Sequence, residues 1–160
     1  MIKEPQRWTP HATVATIVEQ DGKYLMVEEN RIINSQGDFG IVYNQPAGHI
    51  DAGETIAAAA IRETFEETRW KVLLTHLVGI YVFKAPANGA TYHRYCFAAK
   101  AIKHVAESHL DDGILNAKWL SWEEIAQLEN LRSPLVKQCV QDHINGKKYP
   151  LDLIYEHIDS

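Results

Sequence analysis

The stretch Gly48-His49-Ile50-Asp51-Ala52-Gly53-Glu54-Thr55-Ile56-Ala57-Ala58-Ala59-Ala60-Ile61-Arg62-Glu63-Thr64-Phe65-Glu66-Glu67-Thr68 decides how the chain is read. Its first seven residues contain two glycines and no sustained apolar period, the mark of a loop. Thr55 is then a residue type suited to a helix N-cap. It leads into four consecutive alanines with neither Gly nor Pro up to Thr68, so the spacing predicts a helix over 55–68. On it Glu63, Glu66 and Glu67 stand at i, i+3 and i+4, three carboxylates within about one turn on one face. Like charges so placed lower helix stability by about 0.2–0.5 kcal/mol per pair unless cations lie between them. A solvated acidic face is the plain account of such a cluster. The glycine loop running straight into this helix offers another, because flexible backbone can present carbonyls to the same cations. Gly48, Glu63, Glu66 and Glu67 are therefore the candidate metal set.

Working outward, residues 11–19 are rich in Val, Ile and Thr and apolar on both faces, which predicts an interior strand. Asp21-Gly22 offers a tight hairpin turn to a partner strand at 23–28. Residues 30–40 are Asn, Ser, Gln, Gly and Asp in the main, too polar for a core element, and predict a loop able to cover a ligand. Downstream, 72–84 and 91–103 are β-rich and flank Ala87-Asn88-Gly89, a second hairpin whose first arm is long enough for two strands. Residues 116–120 predict a short strand, and Ser121-Trp122-Glu123-Glu124 a capped helix reaching about Leu128. Ser133-Pro134 opens a further helix that stops at Asn145-Gly146, before a tail over 149–158. Irregular alternation without repeats or linkers predicts one mixed α/β domain spanning 1–160.

With 46% hydrophobic and 23% charged residues in 160, the composition is that of an ordinary globular protein. Sixteen Lys+Arg against 21 Asp+Glu leave a formal charge of −5, which repels a nucleic acid polymer and sets that partner aside. A small polyphosphate ligand would need its charge offset, most simply by divalent cations. Cys96 and Cys139, the only two cysteines, form no CxxC pair and have no zinc spacing, which fits a reducing interior, and no histidine pattern suits zinc. The first residues lack an apolar signal region and no run approaches the length that spans a bilayer, so the expectation is a cytoplasmic protein with no membrane partner.

Gly48, Glu54, Arg62, Glu63, Glu66 and Glu67 reproduce in register the pattern GX5EX7REUXEEXGU, and on these residues the chain resembles the Nudix hydrolase family. Chance agreement at six fixed positions is on the order of one in 100,000. Three positions depart: Thr64 fills an aliphatic place, Arg69 stands where glycine is usual, and Ala47 precedes the box where a second glycine is common. Arg69 makes a left-handed helix exit dearer by ~1 kcal/mol. The resemblance implies an α/β/α sandwich with a mixed central sheet. It also implies an enzyme that uses Mg²⁺, with Mn²⁺ as a substitute, to hydrolyse a small phosphorylated metabolite, and Glu54 and Arg62 bracing the box loop. Segments 44–49, 130–136 and 149–151 look like the NudJ-type phosphatase branch. That branch implies orthophosphate release from nucleoside tri- and diphosphates and thiamine-type diphosphates, by a monomer. Two other readings stand beside it: a nucleoside diphosphate-X pyrophosphatase of another branch, and a non-catalytic nucleotide-sensing module.

The resemblance also implies a catalytic set of Glu63, Glu66 and Glu67 with Glu54, Arg62 and a base, which in Nudix relatives is either a box glutamate or an acid from a distant loop. Asp112 is the loop candidate for that base, with Asp111 its near rival and an Asp-Gly turn the plain alternative. Tyr92 and Arg94 alternate onto one strand face and suit base stacking and a phosphate clamp, unless the strand is simply a solvated edge. Arg132 suits a terminal phosphate, with a solvated loop charge the plain alternative, and His49, beside the first box glycine, suits a phosphate oxygen, with a surface hydrogen-bonding group the plain alternative.

Overall fold

The run apolar on both faces becomes β1 (His11–Gln20), in which Val14 and Val18 point to one side and Ala15 and Ile17 to the other, all fully buried. The protein is described by a computed structural model over residues 1–106 and 109–158. Asp21 (φ 52) and Gly22 (φ 73) both take left-handed geometry, the two-residue turn whose twist matches its strands. The turn delivers β2 (Lys23–Ile32), which is longer than the 23–28 expected. The predicted 30–40 loop is corrected: Asn30 pairs with Ile41 and Ile32 with Phe39 of β3 (Phe39–Asn44). Only a short turn separates them, tied by the Asn34 side-chain Oδ1 accepting from the Gln36 and Asp38 backbone amides. Polarity misled because this hairpin lies at the sheet edge, where main-chain pairing needs no buried face. Phe39 and Ile41 are exposed there.

The glycine loop begins as a three-residue strand, β4 (Ala47–His49), antiparallel to β1 with Gly48 opposite Val14. Helix α1 (Ile56–Thr68) starts where predicted, the Thr55 hydroxyl accepting from the Ala58 amide at 3.1 Å. β5 (Trp70–Lys84) is one strand of 15 residues rather than two; three register shifts against β6 (Thr91–His104) absorb its twist. β7 (Ile114–Ser121), α2 (Trp122–Gln127) and α3 (Leu135–Ile144) follow, α2 capped by Ser121 as its sequence implied.

The sheet runs β3-β2-β1-β6-β5, with β4 added on β1 and β7 on β2. It is mixed, since β1 and β6 are parallel and the other pairs antiparallel. β1 and β2 pair only beside their turn, Glu19 with Tyr24 and Gln20 with Lys23, and part beyond it. Because alternate side chains of β1 face opposite ways, two cores form. Val14, Val18, Leu25 and Phe97 meet Ala59 and Ala60 of α1, while Ala15, Ile17, Met26 and Ala98 meet Ile125 of α2 and Val136 and Val140 of α3. The result is the expected α/β sandwich. Trp119 packs edge-on against Trp70, ring centres 5.6 Å apart. Among the described residues no helix is long and apolar enough to cross a membrane.

Candidate active site

The 3.6-residue period of α1 turns Glu63 and Glu67 inward, 9% and 3% exposed, and leaves the Glu66 side chain 40% exposed. β4 runs directly beside them. The Ala47 amide donates to Glu67 Oε2 at 3.2 Å. A Cβ added to Gly48 would overlap the Glu63 carboxylate, so the box glycine makes room for an acid.

Arg62 ties loop to helix. Its Nε and Nη2 donate to the two oxygens of Glu54 at 3.0 and 2.7 Å, and Nη2 also to the His49 carbonyl at 3.0 Å. Its Nη1 donates to Glu63 at 2.9 Å and Glu66 at 3.2 Å. Eight residues of helix could not bring Glu54 and Arg62 together; the loop folding back over the helix start does. The Glu54 carboxyl is held below the usual range by that guanidinium. Burial pushes Glu63 up despite Arg62, with Glu66 and Asp111 adding to the rise. Glu67 lies well above the usual range, first from burial and then from the Glu29 carboxylate nearby.

The three box glutamates are held apart by their hydrogen-bond partners. Among the described residues no three His, Cys, Asp or Glu side chains are arranged to hold an ion as they stand. The reason is physical: the Arg62 guanidinium fills the space between Glu63 and Glu66, and Glu67 turns to the Ala47 amide. The donor set nonetheless fits a hard divalent cation. It is all oxygen, and two of its carboxylates are buried under proton affinities that a cation in place of Arg62 would relieve.

Beside β4 opens a cavity of about 270 Å³ that receives residues from both sides of the parting between β1 and β2. Tyr92, Arg94, Arg132 and His49 all line it. The edge-strand alternative for Tyr92 and Arg94 does not hold, because β6 lies between β1 and β5. Arg94 is buried, and it donates to Gln45 Oε1 at 3.1 Å and Asn44 Oδ1 at 3.3 Å. Tyr92 forms a ring cluster with His11 and His49, at 5.1 and 6.3 Å. Desolvation, and then His11, keep the His49 imidazole below its ordinary pKa. At the turn before β7, Asp111 is the acid whose charge reaches Glu63, and its amide donates to the Glu66 carbonyl at 3.0 Å. Asp112 sits next to it, exposed.

Sequence reasoning missed Glu29, Arg31 and His11. Glu29 is 1% exposed, its Oε2 2.9 Å from Arg31 Nε and 4.0 Å from Arg132 Nε. A buried acid just past the expected end of a strand leaves no periodic trace; the one local hint is the charge alternation of Glu29 and Arg31.

The NUDIX domain profile matches residues 8–139. Phosphatase NudJ of Escherichia coli strain K12 is 39% identical over 145 residues, 91% of this chain and 90% of that protein, and the Shigella flexneri protein of that name matches equally. A solved NUDIX hydrolase from Nitrosomonas europaea is 42% identical with a TM-score of 0.88, covering 95% of this chain and all of the other. A UDP-X diphosphatase structure, 17% identical with a TM-score of 0.70 over 91% of this chain and 69% of its own, shares the fold alone. The domain match spans most of the chain and includes the glycine loop and the glutamate helix, so this chain belongs to the Nudix hydrolase family.

Proposed function

We propose that the chain is a Mg²⁺-dependent phosphatase that uses water to remove the terminal phosphate of a nucleoside tri- or diphosphate, or of a thiamine-type diphosphate, as orthophosphate. The observation that carries this reading is that Gly48 both abuts the Glu63 carboxylate and lines the same cavity as Arg94 and Arg132. The likeness to Phosphatase NudJ supports the phosphatase activity. In this reading the whole chain is one domain acting as a monomer on a small metabolite, not on a nucleic acid polymer or a membrane.

Glu63, Glu66 and Glu67 with the Gly48 carbonyl would hold Mg²⁺, or Mn²⁺ in its place, once Arg62 releases Glu63 and Glu66 and keeps Glu54. Bound there, the ion supplies shielding of the phosphoanhydride charge and acidifies water. Arg94 and Arg132 hold phosphate oxygens, while Tyr92 and His49 flank the organic group. A carboxylate of the 111–112 turn accepts the proton of the attacking water. Asp112 remains a candidate, and the electrostatic reach of Asp111 to Glu63 favours Asp111. The water oxygen bonds to the terminal phosphorus, the bridging P–O bond breaks, and that oxygen stays with the shortened substrate.

Phosphate release from a nucleoside triphosphate tests the reading. Glu66→Gln and Glu67→Gln should each lower it roughly a hundredfold or more. Chromatography should show the diphosphate and then the monophosphate appearing with orthophosphate. Monophosphate and pyrophosphate formed directly would assign the chain to the pyrophosphatase reading. Full turnover in both variants would remove the hydrolytic role of these acids.

A further inference from the structure

The arginines of the cavity are more numerous than its acids. Among the described lining residues three guanidinium groups, Arg31, Arg94 and Arg132, face a single acidic side chain, Glu29, a formal surplus of two positive charges in a chain of formal charge −5. Arg94 is buried, donating to the neutral oxygens of Asn44 and Gln45 with the Cys139 thiol also beside it, and among the described residues no carboxylate pairs with it. A guanidinium taken out of water without a counter-ion is costly, and an anionic ligand relieves that cost.

Arg31 and Arg132 come from different parts of the chain yet meet at one atom, Glu29 Oε2, at 2.9 and 4.0 Å. Both side chains are 45% exposed while Glu29 is buried, so the acid holds them from behind and leaves donors free on the cavity side. Their backbones are set by strand pairing. Arg31 lies opposite Gly40 in the β2–β3 ladder, and the Arg132 amide donates to the Tyr43 carbonyl at 2.9 Å while the Tyr43 amide donates to Asn130. Two forks anchored on rigid backbone are preorganised for one tetrahedral anion.

We propose that Arg31, Arg132 and Arg94 form a receptor for a dianionic terminal phosphate, with Glu29 as the positioning residue for the first two, so that phosphates capped by a second substituent are rejected. The proposal rests on the phosphatase reading and names its substrate class. A terminal phosphoryl group carries about −1.5 to −2 near pH 7, matching the surplus. A phosphate esterified on both sides carries a single charge and leaves one guanidinium uncompensated.

The test compares adenosine diphosphate with its terminal methyl ester, using the full chain with Mg²⁺. The unsubstituted chain should process the free diphosphate with kcat/KM roughly thirtyfold or more above the ester. Arg31→Gln and Arg132→Gln should each lower the free substrate about tenfold or more, chiefly through KM, and the ester threefold at most. Arg31→Lys should keep most of the preference. Glu29→Gln should raise KM for the free substrate with its melting temperature nearly kept, whereas a purely structural role would depress both substrates in parallel. Absence of preference in the unsubstituted chain, or parallel losses on both substrates, overturns the proposal. If neither compound is turned over, the phosphatase reading fails, and calorimetric binding of the same two compounds decides the receptor by the same inequality.

Discussion

Gly48 adopts a backbone angle outside the left-handed region, so its lack of a side chain serves space and not conformation. Gly48→Ala should therefore displace the Glu63 carboxylate and reduce phosphate release about tenfold or more, with only a modest change in melting temperature. Activity within twofold of the unsubstituted chain would refute this steric account. Arg69 shows the opposite case. It ends α1 in left-handed geometry (φ 61) where the family usually has glycine, its amide donating to the Phe65 carbonyl at 2.8 Å. Its guanidinium stacks 5.2 Å from the Phe65 ring centre, which offsets part of the strain, while its Nε is buried without a hydrogen-bond partner. Arg69→Gly should stabilise the protein by about 0.5–1 kcal/mol in urea unfolding. An unchanged or lower midpoint would mean that the ring contact outweighs the strain.

At the scale of the element, α1 is held at its start by two side chains, one local and one distant. Thr55 caps the Ala58 amide, and Glu156 reaches from the tail to accept from the Ile56 amide at 2.6 Å. A carboxylate is favoured there because the free amides and the helix dipole present positive charge. Ile154 joins the same apolar cluster as Ile56 and Ala57, which brings the tail alongside the helix. Glu156→Ala should cost about 1 kcal/mol of stability and Glu156→Gln less, read from urea midpoints. Equal losses in both variants would show that charge contributes nothing at this cap.

Over the whole molecule, two groups of carboxylates act against each other as pH changes. Glu28, hydrogen-bonded by Lys118 and Tyr43, and Glu54, held by Arg62, both have lowered pKa values. Their stabilisation is present above the ordinary value of 4.5 and fades as pH falls through the lower folded values. Glu63 and Glu67 are raised by burial, so their contribution is present below 4.5 and is lost as pH rises through the folded values. In chelator the melting temperature should peak at mildly acidic pH and decline toward neutrality. Mg²⁺ should raise it most at the higher pH, because its carboxylate ligands must be ionised to bind. Melting curves in chelator and in Mg²⁺ across this range check the pattern; a metal effect that does not grow with pH would contradict it.

What the sequence determined by itself was local. The Thr55 cap and the alanine run specified α1, and three glutamates at i, i+3 and i+4 then had to lie along one side of it. Asp21-Gly22 specified its hairpin because few residue pairs accept two left-handed angles. Tertiary structure alone decided which distant groups met those glutamates. The parallel register of β1 with β6 placed Arg94 at the cavity, and the parting of β1 from β2 brought Glu29 and Arg31 to it. The folded-back loop closed Glu54 onto Arg62. Periodicity records which face of its own element a residue occupies, whereas the choice of facing element comes from long-range strand pairing and burial, which no short window of sequence contains.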